Sequence, residues 1–467
     1  MSAVHTKNRA DLSVPSGAGR MNARHVWPKV PSGRAATLLA LQYQMARTEL
    51  QNPRERDRQK FRQLHALLSH AGTHLAFVKE RLLRAGFSPN QPLTQAIWSN
   101  IPILTRDEVR ANTHCLTINN VPEGHGRSYE IRTSGSTGMP LTATGTGLVQ
   151  LFWDALTLRE ADRHQRDSSA TFHAIRRTDN SACLPDGAEY DGWGRAFEGL
   201  GARGKVYALD IESDIDGQLD WLSARPPRFL LTYPTNLAAL TRRARERKIV
   251  FPTLEQLITV SETVTPQLRK EVRKLWGVPV MDLYSAQEVG YIALQATDGD
   301  HYNVPEDVIH VEILDEVGHP VAAGETGRVV VTHLHNYAMP LIRYDIGDYA
   351  ELGERSATGN TQMVLNKILG RSRGMLSFPD GSRHWPHLPY ENFVRAAGIK
   401  QFQLVQHTVT ELEFRCVLDG KLSAPNEDAL RTILQDGLGF PFNIRFSQVE
   451  SISRSASGKF EDFISKV

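Results

Sequence analysis

The chain has 467 residues, 40% of them hydrophobic and 23% charged, a mixture that buries a core and excludes a disordered or fibrous protein. Lys and Arg total 54 against 52 Asp and Glu, a formal net charge of +2. No general attraction to nucleic acid or to an anionic membrane is therefore expected, and any basic function has to be local.

At roughly 150 residues per domain, the length suggests two or three domains. No apolar run approaches the roughly 18 residues of a spanning helix, and Met1-Ser2-Ala3-Val4-His5-Thr6-Lys7-Asn8 lacks an apolar signal core, so no membrane association and a cytoplasmic location are expected. Cys115, Cys183 and Cys416 are far apart and form no CxxC pair. They are expected as free thiols in the core, not as a disulfide framework or zinc site.

In chain order, residues 1–35 carry Ser, Gly, Pro and Asn with no apolar period and are expected as a flexible leader. Leu38, Leu41 and Met45, then Phe61, Leu64 and Leu68, fall at helical spacing on either side of Asn52-Pro53, which predicts two helices. The charges from Arg54 to Arg62 alternate in sign and are expected as a solvated helix face. Further on, Phe229-Leu230-Leu231-Thr232-Tyr233 precedes a helical stretch 236–248, and Leu257-Ile258-Thr259-Val260 precedes another over 266–276. Strand alternating with helix predicts an α/β sheet. Arg242, Arg243, Arg245, Arg247 and Lys248 sit near the end of the first of these helices, where cations suit the helix dipole. After Gly370 the pattern changes to two hairpin-like strands near 403–405 and 411–418, a helix over 427–437 and a strand at 444–446, a small α+β domain. The expected fold is thus α/β, a large multi-sheet N-terminal region followed by a small, mobile α+β C-terminal domain.

The strongest local signal is Thr133-Ser134-Gly135-Ser136-Thr137-Gly138-Met139-Pro140. Glycines admit a polyphosphate close to backbone amides, and hydroxyls donate to its oxygens. Gly-Lys-Ser/Thr is absent, so this is not a Walker loop. Tyr284-Ser285-Ala286-Gln287-Glu288 follows a short apolar run, so a ring able to stack on a purine and a carboxylate able to hold Mg²⁺ leave a strand end together. In Arg343-Tyr344-Asp345-Ile346-Gly347-Asp348 a carboxylate after a Gly turn could accept both hydroxyls of a ribose. Taken singly, such a loop is most often a plain loop and such acids are caps or surface charges. No GxSxG elbow is present, which removes a Ser/His/Asp hydrolase reading.

In this order the segments resemble the acyl-adenylate-forming (AMP-dependent synthetase/ligase) superfamily, most closely its phenylacetate-CoA ligase-like branch. The resemblance runs over roughly residues 38–467 and extends to His70-Ala71-Gly72-Thr73-His74-Leu75-Ala76-Phe77 and Ile101-Pro102-Ile103-Leu104-Thr105-Arg106-Asp107-Glu108. It implies a nucleotide site formed by Thr133, Ser134, Gly135, Ser136, Thr137 and Gly138, by Ser261, Glu262 and Thr263, and by Tyr284, Ser285, Asp348 and Arg371. Tyr284 is then the adenine-stacking ring, Glu288 the Mg²⁺ ligand, Asp348 the ribose carboxylate and Arg371 the arginine of the interdomain hinge. Lys459, in Ser457-Gly458-Lys459, resembles the mobile catalytic lysine that neutralises charge as a carboxylate attacks the α-phosphate. Tyr233, Ala286, Gly290 and His173 are candidates for the acid pocket, with a structural role the stronger expectation for His173. The implied domains are a leader (1–35), an adenylate-forming domain (36–370) and a mobile domain (371–467) with the interdomain cleft as active site.

The implied reaction joins ATP and a small, aromatic carboxylic acid into acyl-AMP and pyrophosphate with Mg²⁺, and then passes the acyl group to CoA. An alternative keeps the adenylation and hands the group to an amine, another nitrogen nucleophile or a carrier-protein thiol. Two departures matter. Met139 and Leu141 stand where the family's loop carries a lysine, and the hinge reads Gly370-Arg371-Ser372-Arg373-Gly374 without its usual aspartates, a change that bears on the second half-reaction and favours the alternative acceptors. A nucleotide-binding protein without catalysis is the reading from another class, which retention of Glu288, Asp348, Arg371 and Lys459 together opposes.

Overall fold

The computed structural model describes residues 30–132, 141–178, 183–201, 203–356, 359–371, 374–386, 388–454 and 460–467. Most of the expected leader, the hydroxyl-rich loop 133–140 and Lys459 lie outside these residues.

Two helices open the described chain, Gly33–Glu49 and Pro53–His74. The second begins at Asn52, whose side chain accepts from the Arg54 N–H, with Pro53 at the first helical position, where a missing N–H does no harm. Leu38, Met45, Leu64 and Leu68 are buried, as their spacing predicts. The alternating charges are not a solvated face throughout. Arg56 and Lys60, one turn apart, are 2% and 6% exposed and reach Glu306 at 3.1 and 2.9 Å, with Arg355 on the same carboxylate at 2.6 Å. Sign alternation along a helix does not reveal that one i, i+4 face meets a buried acid.

The large region is built on one twelve-stranded sheet, with a separate two-stranded ribbon of Ser128–Arg132 and Thr142–Thr146. Five neighbouring strands are parallel, in the order Lys205–Asp210, Phe172–Arg176, Phe229–Thr232, Gln256–Val260 and Val280–Ala286. Their near-continuous apolar runs follow from burial on both faces. Helices Ile215–Ala224, Pro234–Arg247 and Pro266–Trp276 cover one face, and Gly33–Glu49 and Gly147–Arg163 cover the other. Beyond Val280–Ala286 the sheet turns antiparallel through Gly290–Gln295, Tyr302–Asn303, Val364–Arg371, Tyr344–Leu352, Thr326–His333 and Ile309–Leu314.

The C-terminal part has its own core of Phe393, Phe402, Phe414, Leu430 and Leu434. Its four strands lie in the order Asn443–Gln448, Glu411–Leu418, Ile399–Gln406, Phe463–Ser465, packed on helices Tyr390–Ala397 and Ala424–Leu438. This is the expected α+β unit, with Phe463–Ser465 a parallel partner that no pattern predicted. Cys183 and Cys416 are buried free thiols and Cys115 is half-buried. No helix among the described residues is long and apolar enough to cross a membrane.

Candidate functional site

The site forms where the sheet changes from parallel to antiparallel. Strand Val280–Ala286 runs past the expected end, so Tyr284 lies within it and not beyond it. The Tyr284 hydroxyl donates to Asp348 Oδ2 at 2.9 Å, and burial, then the Asp348 charge, raise its pKa well above the ordinary tyrosine value. Asp348 and Arg371 are register partners on adjacent strands, with Arg371 Nε 3.6 Å from Asp348 Oδ1. A cation on one carboxylate oxygen and a phenol on the other fix the orientation of Asp348. Gly347, at φ +84°, lies just before it within strand Tyr344–Leu352, where the register with Thr326–His333 shifts, a backbone conformation that favours glycine.

Ala286 pairs with Gly290 across a tight turn that carries Glu288. Glu288 is 6% exposed. Its Oε1 accepts from Arg106 Nη1 at 3.1 Å and from the Tyr344 hydroxyl at 3.3 Å. Arg106 opens helix Arg106–Ala111, whose start is held by a reciprocal cap between Thr105 and Glu108 and by a bridge between Leu104 and Tyr344. Arg106 and Tyr344 are therefore site residues. Both lay inside quoted motifs, but no periodicity singled out their side chains. Among the described residues no group of three or more metal-ligating side chains gathers. A single carboxylate of this kind still fits Mg²⁺, which is commonly held by one or two carboxylates plus substrate phosphates and water, and both bonds to Glu288 use one oxygen.

Ser261 leaves strand Gln256–Val260 at φ +74°, a strained conformation for a residue with a side chain. Two residues on, the Thr263 hydroxyl would lie 3.1 Å from a Cβ at Gly370, which brings this loop to the strand end that carries Arg371. Between them, Glu262 accepts the Thr235 N–H on Oε2 at 2.9 Å and the Phe460 N–H on Oε1 at 3.0 Å. Burial raises its pKa, opposed by those two amides. Arg454 Nη1 donates to Thr235 Oγ1 at 3.2 Å. The basic run on helix Pro234–Arg247 divides here: Arg243 and Arg247 pair with Asp216, Arg247 also with Asp220, whereas Arg242 donates to the Lys400 carbonyl at 2.8 Å and to the Tyr390 hydroxyl.

The family model described as the CapK C-terminal domain matches residues 390–466. A phenylacetate-coenzyme A ligase from Thermus thermophilus is 28% identical over 200 residues, 40% of this chain and 44% of that protein, so the match spans less than half of that relative. A 2-hydroxyisobutyryl-CoA ligase in the postadenylation state, in complex with 2-HIB-AMP, superposes with a TM-score of 0.68 at 20% identity, over 90% of this chain and 91% of that one. The fold is that of the adenylate-forming ligases. In sequence the chain is phenylacetate-CoA ligase-like. The same ligase in its thioesterification state, in complex with 2-HIB-AMP and CoA, covers the same shares at 20% identity with a TM-score of 0.57.

Within the ligase fold, the pocket candidates separate. Gly290 (φ +82°) faces Trp153 and His333, which would lie 3.7 and 3.8 Å from a Cβ there, and Ala286 is its partner across the turn. Tyr233 caps helix Pro234–Arg247 from the core, its hydroxyl accepting the Arg177 N–H at 3.3 Å. His173 lies in the core: it has no exposed surface, packs on Tyr207 and Trp221 with ring centroids 4.9 and 5.2 Å away, and burial lowers its pKa to about 4. Alternation along strand Phe172–Arg176 turns it to the face covered by helix Ile215–Ala224, which carries Trp221. Beside the ribbon, an open cavity of about 370 Å³ is lined by Arg34, Tyr129, Gly147, Gln150 and Arg195. Arg34, Gln150 and Arg195 all converge on Asp154, so a buried carboxylate already balances these arginines.

Proposed function

We propose that this protein is an ATP-dependent, AMP-forming acid ligase that acts on a small carboxylic acid. In the first step a carboxylate oxygen attacks the α-phosphorus of ATP, the bond to the β-phosphate oxygen breaks, and acyl-AMP and pyrophosphate form. In the second, the CoA thiol loses its proton and attacks the acyl carbon, and AMP leaves with the bonding electrons. The observation that carries this reading is the meeting of Tyr284, Asp348 and Arg371 where the parallel strands end, the usual ligand-binding edge of an α/β sheet.

Each side chain has a task that its surroundings suit. Asp348, its two oxygens steadied by Tyr284 and Arg371, accepts the ribose hydroxyls. Glu288 would hold Mg²⁺, which when bound supplies charge neutralisation at the phosphates. Residues 133–138 supply hydroxyl and amide donors to the phosphates, and Lys459 supplies the compact cation that Met139 and Leu141 do not. The relatives named for phenylacetate favour an aromatic acid, and Gly290 with Trp153 and His333 offers aromatic walls. CoA as acceptor is favoured by the relatives' names, and an amine or carrier-protein thiol by the hinge sequence Arg371-Ser372-Arg373-Gly374. A cytoplasmic setting supplies both ATP and CoA.

The test is incubation with ATP, Mg²⁺ and a panel of aryl and alkyl carboxylic acids, phenylacetate and 2-hydroxyisobutyrate included, with and without CoA. Pyrophosphate release and mass spectrometry of products are followed. Acid-dependent pyrophosphate with acyl-CoA is expected. Acyl-AMP that accumulates unchanged by CoA would move the acceptor to an amine or carrier protein, and no pyrophosphate with any acid would reject the ligase reading.

A further inference from the structure

Trp385 of the small domain packs on Tyr349 of the large one, ring centroids 5.3 Å apart, and further contacts gather on one helix and the loop beside it. Arg242, midway along Pro234–Arg247, meets the Lys400 carbonyl and Tyr390, its guanidinium 5.6 Å from the Tyr390 ring centre. At the first turn of the same helix Arg454 meets Thr235. The last contact is of another kind. One carboxylate, Glu262, takes a backbone N–H from each domain, Thr235 at 2.9 Å and Phe460 at 3.0 Å.

We propose that Glu262 is a latch that holds the small domain in the orientation from which Lys459 serves acid activation, and is thus a positioning residue for that step. This rests on the ligase reading above. The amide that Glu262 grips belongs to the peptide that joins Lys459 to Phe460. Both donors are main-chain groups, so the contact depends on where the small domain sits and not on the side chain at position 460. Rotation of that domain about the chain near Gly370 breaks the Phe460 bond alone, while Thr235, in the large domain with Glu262, keeps its own and holds the carboxylate in place. A carboxylate suits the task because its two oxygens accept one bond each. Glutamine offers a single acceptor oxygen, and aspartate is one methylene short. Among the described residues, this contact is the one made at the residue next to the lysine in sequence.

The test compares the full-length protein with Glu262→Ala, Glu262→Gln and Arg454→Ala by amide hydrogen exchange read peptide by peptide, a measurement that needs no acid substrate. In Glu262→Ala the Phe460 amide is expected to exchange roughly tenfold faster or more, the scale of a lost hydrogen bond to a charged group, while strands Ile399–Gln406 and Glu411–Leu418 keep their protection. Glu262→Gln should fall between, and Arg454→Ala should loosen the same amide from the other side of the contact. Unchanged exchange at Phe460, or loss that spreads into the small domain's own sheet, overturns the latch. A second arm uses phenylacetate and ATP for pyrophosphate release, and preformed phenylacetyl-AMP with CoA for the thioester step. The first should fall about tenfold in Glu262→Ala with KM for ATP little changed, and the second should fall less. Equal loss in both steps rejects the positioning role. If wild-type protein releases no pyrophosphate, the ligase reading fails on that result, and the exchange data alone still decide the latch.

Discussion

Asp348 is oriented from two sides, by the Tyr284 hydroxyl and by Arg371 across the neighbouring strand. Asp348→Asn keeps the shape and removes the charge, so ATP affinity should fall roughly tenfold to a hundredfold, the loss of one or more charge-assisted bonds. Calorimetric titration with ATP checks this, with the unfolding midpoint as control. Lys459 differs in kind, since its expected role is confined to the charge that develops as the acid attacks. Lys459→Ala should leave ATP binding and the unfolding midpoint nearly unchanged and lower acid-dependent pyrophosphate release by about a hundredfold or more. An equal fall in ATP affinity would assign it to ground-state binding instead.

At the scale of elements, helix Pro53–His74 is docked by a buried ion cluster as well as by its leucines. Burial opposes ionisation of Glu306, but hydrogen bonding from Arg355 and the charges of Lys60, Arg355 and Arg56 win and hold its carboxyl well below the usual range. Glu306→Gln leaves three cations facing a neutral amide and should destabilise the fold by about 3–5 kcal/mol at neutral pH, since breaking a buried pair on one side strands the other charge. A depressed carboxyl pKa contributes stability that is complete above the unfolded value and lost as pH falls through the folded one. The gap between wild type and variant in urea unfolding should therefore narrow as pH drops below the ordinary glutamate value of 4.5.

The whole molecule carries several histidines in its core. Burial lowers His173 and His335 to about 4 and His333 to about 3, from an ordinary 6.5, and takes His310 well below it. Each stays neutral in the fold and takes up a proton on unfolding once pH falls below 6.5, so stability should decline from that point downward, by about 1.4 kcal/mol per pH unit for every such histidine. Urea midpoints measured between pH 7 and pH 5 test this directly. A flat profile over that range would mean that these rings are already protonated inside the fold.

The alternation of strand and helix from Phe229 to Trp276 and the change to a hairpin pattern after Gly370 were legible in the chain, because apolar period and turn chemistry are local properties, and the motifs around Tyr284, Asp348 and Arg371 were singled out by their resemblance to the adenylate-forming family. The same locality explains what was missed. Whether Arg56 and Lys60 meet water or Glu306, and that Arg106 reaches Glu288 across 182 positions of sequence, depend on which strands become neighbours. Glu262 is the clearest case. Its type and place resembled a nucleotide-facing segment, but that one carboxylate would bind an amide from each domain was decided only when helix Pro234–Arg247 and Phe460, just before strand Phe463–Ser465, came to lie beside it.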